Sequence, residues 1–142
     1  MTSKMNPEVK AQWTAALRSG EYAQGRSQLS KNGEYCCLGV LCDLAVKAEV
    51  IPAPVRSDDM DDVYGTEGND LYLPAEVMEW AGIEDYNPGV ELDGLPGGVQ
   101  WGSPLEGVDS NGYAYEGIAA LSNMNDGGTP FALIADIIDQ QL

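Results

Sequence analysis

Hydrophobic side chains recur at helical spacing near the start of the chain. Val9, Trp13 and Leu17 follow one another at intervals of four residues, which places side chains on one face of a helix. Asn6 precedes Pro7, and an asparagine cap followed by a first-turn proline is typical of helix starts. The pattern therefore predicts an N-terminal helix that buries this face.

Two further helices are predicted from the apolar pattern. Residues 35–47 are apolar on almost every side, which is typical of a buried central helix. Gly39 within this run is expected to admit the close approach of another element. Near the C-terminus, Thr129 is the expected cap and Pro130 the first-turn residue of a last helix. The inward side chains of that helix are expected to be Phe131, Ile134, Ile137 and Ile138.

The chain between these helices is irregular and rich in turn-forming residues. We interpret residues 21–34 as a polar connection and residues 52–70 as an acidic, irregular insertion. Residues 71–73 are expected to form a short strand. Residues 74–81 are expected to form a short helix that ends at Gly82.

The second half of the chain predicts a small sheet. Residues 83–117 are rich in glycine and proline between short apolar runs, which indicates turns and short antiparallel strands. A helical turn or two is expected over residues 118–124. The predicted fold class is α+β: a single small domain over residues 1–142, with N- and C-terminal helices packed around a buried central helix and a small, irregular antiparallel sheet.

Charge is distributed very unevenly along the chain. Residues 1–50 carry six basic and five acidic side chains, whereas residues 51–142 carry one base and eighteen acids, and the net charge is −16. Such a surface repels nucleic-acid phosphates and anionic lipid, so direct nucleic-acid or membrane binding is not expected. It attracts a basic protein surface or divalent cations instead, although the carboxylates could also serve only to keep the fold soluble. The candidate acidic partner-binding surface is Asp58, Asp59, Asp61 and Asp62.

Composition also bears on the compartment. The first residues show no apolar signal region, and no stretch approaches the roughly 20 apolar residues of a membrane span. Three cysteines, an odd number, argue against the disulfide framework of a secreted protein. We therefore expect a cytoplasmic protein.

Histidine is absent from the sequence. This excludes Cys-His and Ser-His-Asp catalysis and the usual histidine-bearing zinc sites. Cys36 stands near the predicted start of the central helix, where the helix dipole lowers a thiol pKa, but the chain lacks a histidine base. We interpret Cys36, Cys37 and Cys42 as core residues and predict no catalytic residue and no cofactor.

Carboxylates leave a catalytic alternative open. The four aspartates of residues 58–62 could hold Mg²⁺ or Ca²⁺, and residues 109–112 followed by Glu116 resemble part of a calcium loop. Neither segment matches the full twelve-residue pattern, and solvated loops explain both. A carboxylate-only, metal-dependent hydrolase is therefore the second alternative function, with no specific metal predicted.

Three blocks of the sequence carry a family resemblance. The first extends over residues 13–25, the second reads Tyr-Cys-Cys-Leu-Gly-Val-Leu-Cys-Asp-Leu over residues 35–44, and the third covers residues 121–136 with its Asn125-Asp126-Gly127 turn. The second block is the most specific. Together the blocks resemble a family of short proteins found mostly in bacteriophages and prophages. The resemblance implies a phage origin and no particular activity.

The candidate ligand- or partner-binding residues are polar, basic and aromatic side chains. They are Arg18, Tyr22, Gln24, Arg26, Trp101, Asn125 and Asp126. Turn formation and capping are the alternative explanation for Gln24, Arg26, Asn125 and Asp126.

Two functional hypotheses from different classes follow. The leading one is a non-enzymatic phage accessory protein in the host bacterial cytoplasm that binds and neutralises a host factor, such as a defence component, through its acidic surface. The alternative is a small-molecule binder that sequesters a nucleotide immune signal, with Arg18 and Arg26 for charge and Tyr22 and Trp101 for stacking. A homo-oligomer would help the alternative, because it would bring two basic N-terminal regions together.

Overall fold

Five helices and seven short strands lie in the described part of the computed structural model, which comprises residues 5–26, 28–57, 61–65, 68, 70–91, 95–100 and 118–142. The helices are α1 (Pro7–Ser19), α2 (Cys37–Lys47), α3 (Ala75–Ala81), α4 (Leu121–Asp126) and α5 (Phe131–Gln141). The strands are β1 (Ala23–Gln24), β2 (Ser30–Lys31), β3 (Glu34–Tyr35), β4 (Val55–Arg56), β5 (Asp62–Val63), β6 (Gly89–Glu91) and β7 (Ile118–Ala120).

Helix α1 forms as its sequence predicts. The Oδ1 atom of Asn6 accepts a hydrogen bond from the backbone N–H of Glu8 at 2.9 Å, which satisfies a free donor of the first turn. Gly20 ends the helix in the left-handed conformation, with φ of 78°. The predicted apolar face of α1 is buried against α2 and α5.

Helix α2 is the buried centre of the fold. It begins at Cys37, later than the sequence pattern suggested, because Cys36 is its cap in extended conformation. A Cβ atom on Gly39 would lie 1.7 Å from the carbonyl oxygen of Leu29. The predicted close approach at Gly39 is therefore confirmed, and the approaching element is the chain that leads into β2.

Helix α5 packs along α1 and completes the helical layer. Its inward residues are those expected, since Phe131, Ile134, Ile137 and Ile138 are all buried. The predicted cap was wrong: Pro130 is the cap residue, and it makes no side-chain cap bond. Thr129 instead exchanges two hydrogen bonds with the backbone of Gln100, at 2.8 and 2.9 Å.

The segment expected to be a polar connection forms a three-stranded sheet, with strand order β1-β3-β2. Strands β1 and β3 pair in parallel, whereas β2 and β3 form an antiparallel hairpin. The hairpin turn is Asn32-Gly33, with φ of 53° and 81°. Asparagine followed by glycine favours this two-residue turn because both positions need positive φ.

Two further antiparallel pairs, β4–β5 and β6–β7, lie outside this sheet. Residues 118–120 form β7, so helix α4 begins later than predicted, at Leu121. The short strand expected over residues 71–73 is absent from the described structure, where the backbone N–H of Leu73 bonds the carbonyl of Tyr86 at 2.9 Å. This bond joins the segment before α3 to the loop that follows α3.

The predicted α+β class is confirmed: in this single small domain α1, α3 and α4 pack against α2, and the sheets are small. The prediction of a purely antiparallel sheet needs one correction, since the β1–β3 pairing is parallel. Within the residues described, no helix combines the length and apolar character that crossing a bilayer requires.

Candidate functional site

Asn125, one of the predicted binding residues, is fully buried where three segments of the chain meet. Its Oδ1 atom accepts hydrogen bonds from the backbone N–H of Cys37 at 3.1 Å and from Nε2 of Gln24 at 3.0 Å. Its Nδ2 atom donates to the carbonyl oxygen of Gly25 at 2.8 Å. The side chain of Asn125 therefore joins β1, the start of α2 and the end of α4.

Gln24 extends the same network to α5. Its Nε2 atom also donates to the carbonyl oxygen of Thr129 at 2.7 Å, one residue before the Pro130 cap. We call Gln24, Gly25, Cys37, Asn125 and Thr129 the Asn125 junction. Because the polar atoms of the Asn125 side chain are hydrogen-bonded to protein atoms and shielded from solvent, this residue holds the fold together.

The three thiols lie along the helix that starts at this junction. Burial raises the pKa of Cys36 to about 12, even though its Sγ atom accepts a hydrogen bond from the backbone N–H of Gly39. Burial also raises the pKa of Cys37 and of Cys42 well above the ordinary thiol range. The cost of burying a thiolate therefore exceeds the effect of the helix terminus, and these thiols stay protonated at neutral pH.

Arg18 lies at the contact between α1 and α5. Its Nη2 atom pairs with carboxylate oxygens of Asp136 at 2.8 Å and Asp139 at 2.7 Å. Hydrogen bonds to Asp136 and then Asp139 raise the pKa of Arg18. This arginine is therefore engaged in joining two helices.

Tyr22 lies beside the C-terminal part of α2. Its hydroxyl group donates to Asp43 and accepts a hydrogen bond from Nζ of Lys47 at 3.1 Å. Burial, and then the hydrogen bond to Asp43, raises the pKa of Tyr22. Asp43 is six residues beyond Cys37, about 9 Å along a helix at 1.5 Å per residue. The hydroxyl group of Tyr22 therefore bonds α2 further along the helix than its start at the Asn125 junction, while its ring packs against Tyr35 with the centroids 5.0 Å apart.

Arg26 is exposed at the edge of a small cavity beside the junction. The cavity has a volume of about 240 Å³, and we call it the Arg26 notch. It is lined by Gly25, Arg26, Gln28, Lys31, Asn32 and Glu34. Asp126, the remaining described candidate of this group, is partly buried and accepts a long hydrogen bond of 3.5 Å from Nδ2 of Asn125.

The structure places part of the predicted acidic surface inside the fold. Asp61 is buried, with its Oδ1 atom 3.3 Å from Nζ of Lys31. Asp62 is partly buried and accepts a hydrogen bond from Ser30 at 2.5 Å. These two carboxylates are therefore corrected from surface to structural positions, because each faces a partner within the fold.

Several sequence predictions concern residues outside the described ranges. They are Asp58, Asp59, Trp101 and the loop of residues 109–116. In the ranges that are described, no cluster of three or more carboxylate or thiol groups is arranged to hold a metal ion.

A surface that the sequence reasoning missed lies at the loops on either side of α3. The rings of Tyr72 and Tyr86 pack edge to face, with centroids 5.1 Å apart. Tyr86 is nevertheless 56% exposed and Leu71 is 40% exposed. Glu84 and Asp85 directly precede Tyr86 and are exposed too. We call these five residues the acidic aromatic face.

The loop that carries this face is held at three points. The backbone carbonyl of Tyr86 accepts from Leu73, and the carboxylate of Asp85 accepts from the backbone N–H of Asn87 at 3.1 Å. The side chain of Asn87 in turn accepts from the hydroxyl of Ser122 at 2.8 Å. Tyr86 is thus presented to solvent by an ordered loop, although burying its ring would have been favourable.

Only a weak signal in the sequence could have indicated this face. Glu84 and Asp85 stand beside an aromatic residue just after a helix stop at Gly82. Acidic residues next to tyrosine are common in surface loops, however. The pairing with Tyr72 depends on a contact between residues 14 positions apart, which spacing alone does not show.

The comparison with protein families decides the relationship of the chain. The model of a domain of unknown function (DUF8296) matches residues 5–142. The chain belongs to this family. Comparison with curated proteins and with solved structures gave no match. The matched range includes the residues of the Asn125 junction, of the Arg26 notch and of the acidic aromatic face.

Proposed function

We propose that the protein acts by binding a basic protein partner, whose arginine side chains dock on the acidic aromatic face. The observation that carries the proposal is the exposed Tyr86, which packs on the half-buried Tyr72 and directly follows the exposed carboxylates of Glu84 and Asp85. A guanidinium group is flat and cationic, so it can stack on a tyrosine ring while it donates to a carboxylate. Tyrosine and arginine are also enriched at the residues that dominate binding energy in interfaces.

The charge of the whole chain supports the same partner. In the described part of the chain, ion pairs within 4 Å hold four basic residues to carboxylates: Arg18, Lys31, Lys47 and Arg56. The chain has 23 acidic against seven basic side chains and a net charge of −16, so negative charge dominates it. A potential of this sign attracts a basic surface over distances of about one Debye length and accelerates association.

Further carboxylates extend the negative surface away from the tyrosine pair. Glu79 is exposed on α3, and the backbone N–H of Asn6 donates to the carbonyl oxygen of Ala81 at 2.7 Å. This bond brings the first turn of α1, with the exposed carboxylate of Glu8, next to the end of α3. A partner that covers the face would meet these charges at its edge, where they affect mainly association and salt dependence.

The resemblance to short phage proteins narrows the proposal further. We propose a host protein in the bacterial cytoplasm as the partner, neutralised by being covered rather than by a chemical reaction. In this role the protein needs a rigid, pre-organised surface. The three hydrogen bonds that hold the Tyr86 loop supply one, since they reduce the entropy lost on binding.

The first experiment compares an arginine homopeptide with a lysine homopeptide of equal length, by isothermal titration calorimetry at low and high salt. Both peptides should bind at low salt and weaken at high salt, because charge attraction contributes to both. The arginine peptide should bind more tightly. Tyr86→Ala should weaken the arginine peptide by roughly 3- to 30-fold, the range expected from losing a cation–π contact, and should change the lysine peptide less.

Matched control variants distinguish binding at the acidic aromatic face from the effects of net charge and of exposed hydrophobic side chains in general. Val55→Ala removes another exposed hydrophobic side chain, and Glu21→Gln removes an exposed carboxylate elsewhere. Glu84→Gln should weaken the arginine peptide more than Glu21→Gln, although both change the net charge equally. Equal affinity for the two peptides, together with no effect of Tyr86→Ala, would contradict the proposal.

A further inference from the structure

The Arg26 notch lies between two backbone segments that the fold holds rigidly. On one side, the backbone N–H of Gly25 donates to the carbonyl of Tyr35 at 2.7 Å, and Asn125 bonds the carbonyl of Gly25. On the other side, the Asn32-Gly33 turn joins β2 to β3. A Cβ atom on Gly25 would lie 2.9 Å from the Cβ atom of Glu34, so glycine is needed for the segments to approach this closely.

The guanidinium group of Arg26 is placed against the turn that follows α4. A Cβ atom on Gly128 would lie 3.3 Å from Nη2 of Arg26, and Gly128 has φ of 89°, which favours glycine. The backbone carbonyl of Arg26 also accepts from the N–H of Gln28 at 2.9 Å. The hydrogen bond from Gln28 therefore fixes the backbone of Arg26, and the missing side chain of Gly128 leaves room for its guanidinium group.

The side chains of the notch suit a small anion. Arg26 and Lys31 both line this cavity, although the whole chain has only seven bases and a net charge of −16. The amide groups of Gln28 and Asn32 add donors that carry no charge. We propose that the Arg26 notch binds a phosphate-class oxyanion, either inorganic phosphate or the phosphate group of a small ester.

Size and lining argue for the phosphate rather than a nucleobase as the recognised group. The volume of about 240 Å³ is below the range of roughly 300–1,000 Å³ typical of sites for drug-sized ligands. None of the described lining residues is aromatic, so the notch offers no ring on which a base could stack. The notch shares no residue with the acidic aromatic face, whose function it neither requires nor excludes.

Two carboxylates near the notch are expected to limit its affinity for an anion. Removing one of these charges should therefore raise the affinity, which can be tested. Glu34 lines the cavity, and Asp61 lies 3.3 Å from Nζ of Lys31 and partly neutralises it. Arg26 is therefore expected to make the main contact, in the two-bond geometry that arginine forms with phosphate. Removal of the Glu34 charge should increase affinity, because it removes repulsion from the bound anion.

The experiment titrates inorganic phosphate, adenosine monophosphate and adenosine into the full chain by calorimetry at low salt. Phosphate and adenosine monophosphate should bind with similar affinity, and adenosine should not bind. Arg26→Gln should weaken phosphate binding by about tenfold or more, the effect of losing a charged hydrogen bond. Glu34→Gln should strengthen it by a few fold, and Arg56→Gln, which removes an exposed arginine outside the notch, should leave it unchanged.

Three results would overturn this proposal. They are no phosphate binding by the parent protein, equal weakening by Arg26→Gln and Arg56→Gln, and adenosine binding as tightly as adenosine monophosphate. Arg26→Gln is expected to weaken phosphate binding and Glu34→Gln to strengthen it. Unfolding of the variants would weaken binding in both, so it could not explain this result. Thermal unfolding of each variant confirms that the folded protein is being compared.

Discussion

The Asn125 junction and the acidic aromatic face differ in what their central side chains contact. At the junction, the amide of Asn125 is buried, and its oxygen and nitrogen atoms bond three backbone or side-chain partners. At the face, Tyr86 is 56% exposed although the loop that carries it is held by hydrogen bonds. The first arrangement stabilises the fold, whereas the second leaves favourable contact area for another molecule. What separates these roles is whether the side chain is enclosed by partners within the fold, as Asn125 is, or left exposed, as Tyr86 is.

The difference implies that substitutions at or near the junction should affect stability, whereas substitutions at the face should affect binding. The largest expected effect is that of Gly39→Ala. Its Cβ atom would lie 1.7 Å from the carbonyl oxygen of Leu29, and neither backbone segment can move without disturbing the buried helix. The free energy of unfolding should fall by at least about 3 kcal/mol. Chemical denaturation checks this value.

Gly97→Ala is the matched control for that substitution. A Cβ atom at Gly97 would meet no atom within 4 Å, so stability should change by less than about 0.5 kcal/mol. If the two variants were equally stable, the close contact between Gly39 and the backbone of Leu29 would be contradicted.

Alkaline pH should destabilise the region of the thiols. The pKa of Cys36 is raised to about 12 by burial, and the pKa values of Cys37 and Cys42 are raised too, whereas an unfolded thiol titrates near pH 8.5. Above that pH the unfolded state releases protons that the folded state retains, so unfolding becomes more favourable as pH rises. Stability should be fully present below about pH 8 and then fall by up to about 1.4 kcal/mol per pH unit for each thiol.

Denaturation curves measured across this pH range test the expectation. Cys42→Ala should reduce the slope, because it removes one of the titrating groups. A stability that does not change through the thiol range would mean that the thiols are accessible to solvent.

Asn125→Ala should have an intermediate effect. It leaves the backbone N–H of Cys37 and the carbonyl of Gly25 without a partner in a buried site, at a cost of about 2–4 kcal/mol. Asn6→Ala, which removes an exposed helix cap, should cost only about 1 kcal/mol. Denaturation of both variants gives the comparison, and a reversed order would place the junction outside the core.

A smaller loss of stability than that of Asn125→Ala is expected for Arg18→Ala. Its ion pairs with Asp136 and Asp139 are substantially exposed, and exposed pairs contribute at most about 1 kcal/mol. Thermal unfolding measures the change. The affinities for the arginine peptide and for phosphate should both stay the same, because Arg18 lies at neither site. Loss of either affinity would instead support the predicted role of Arg18 in binding.

The parts of the fold that local sequence controls were predictable. Asn6 caps α1 and Gly20 ends it, as local helix rules require. The Asn32-Gly33 turn follows rules that are equally local, but the surrounding polar residues concealed it. Strand β7 was mistaken for helix, since its conformation depends on pairing with β6, which lies about 30 residues earlier.

The candidate sites were only partly predictable, for a related reason. Sequence reasoning selected Gln24 and Arg26 for their chemistry, yet one bonds Asn125 and the other lines the notch. Nothing in the residue types distinguishes these positions. Likewise, the acidic aromatic face depends on the bond between Leu73 and Tyr86, a tertiary contact that leaves no pattern in the sequence.

The most direct test measures two quantities on two variants, Asn125→Ala and Tyr86→Ala: the free energy of unfolding and the affinity for the arginine homopeptide. Asn125→Ala should lose stability and, under conditions where it is folded, bind the peptide like the parent protein. Tyr86→Ala should keep its stability to within about 0.5 kcal/mol and lose affinity for the peptide. A Tyr86→Ala variant that binds the arginine peptide as tightly as the parent protein would contradict the role assigned to the acidic aromatic face.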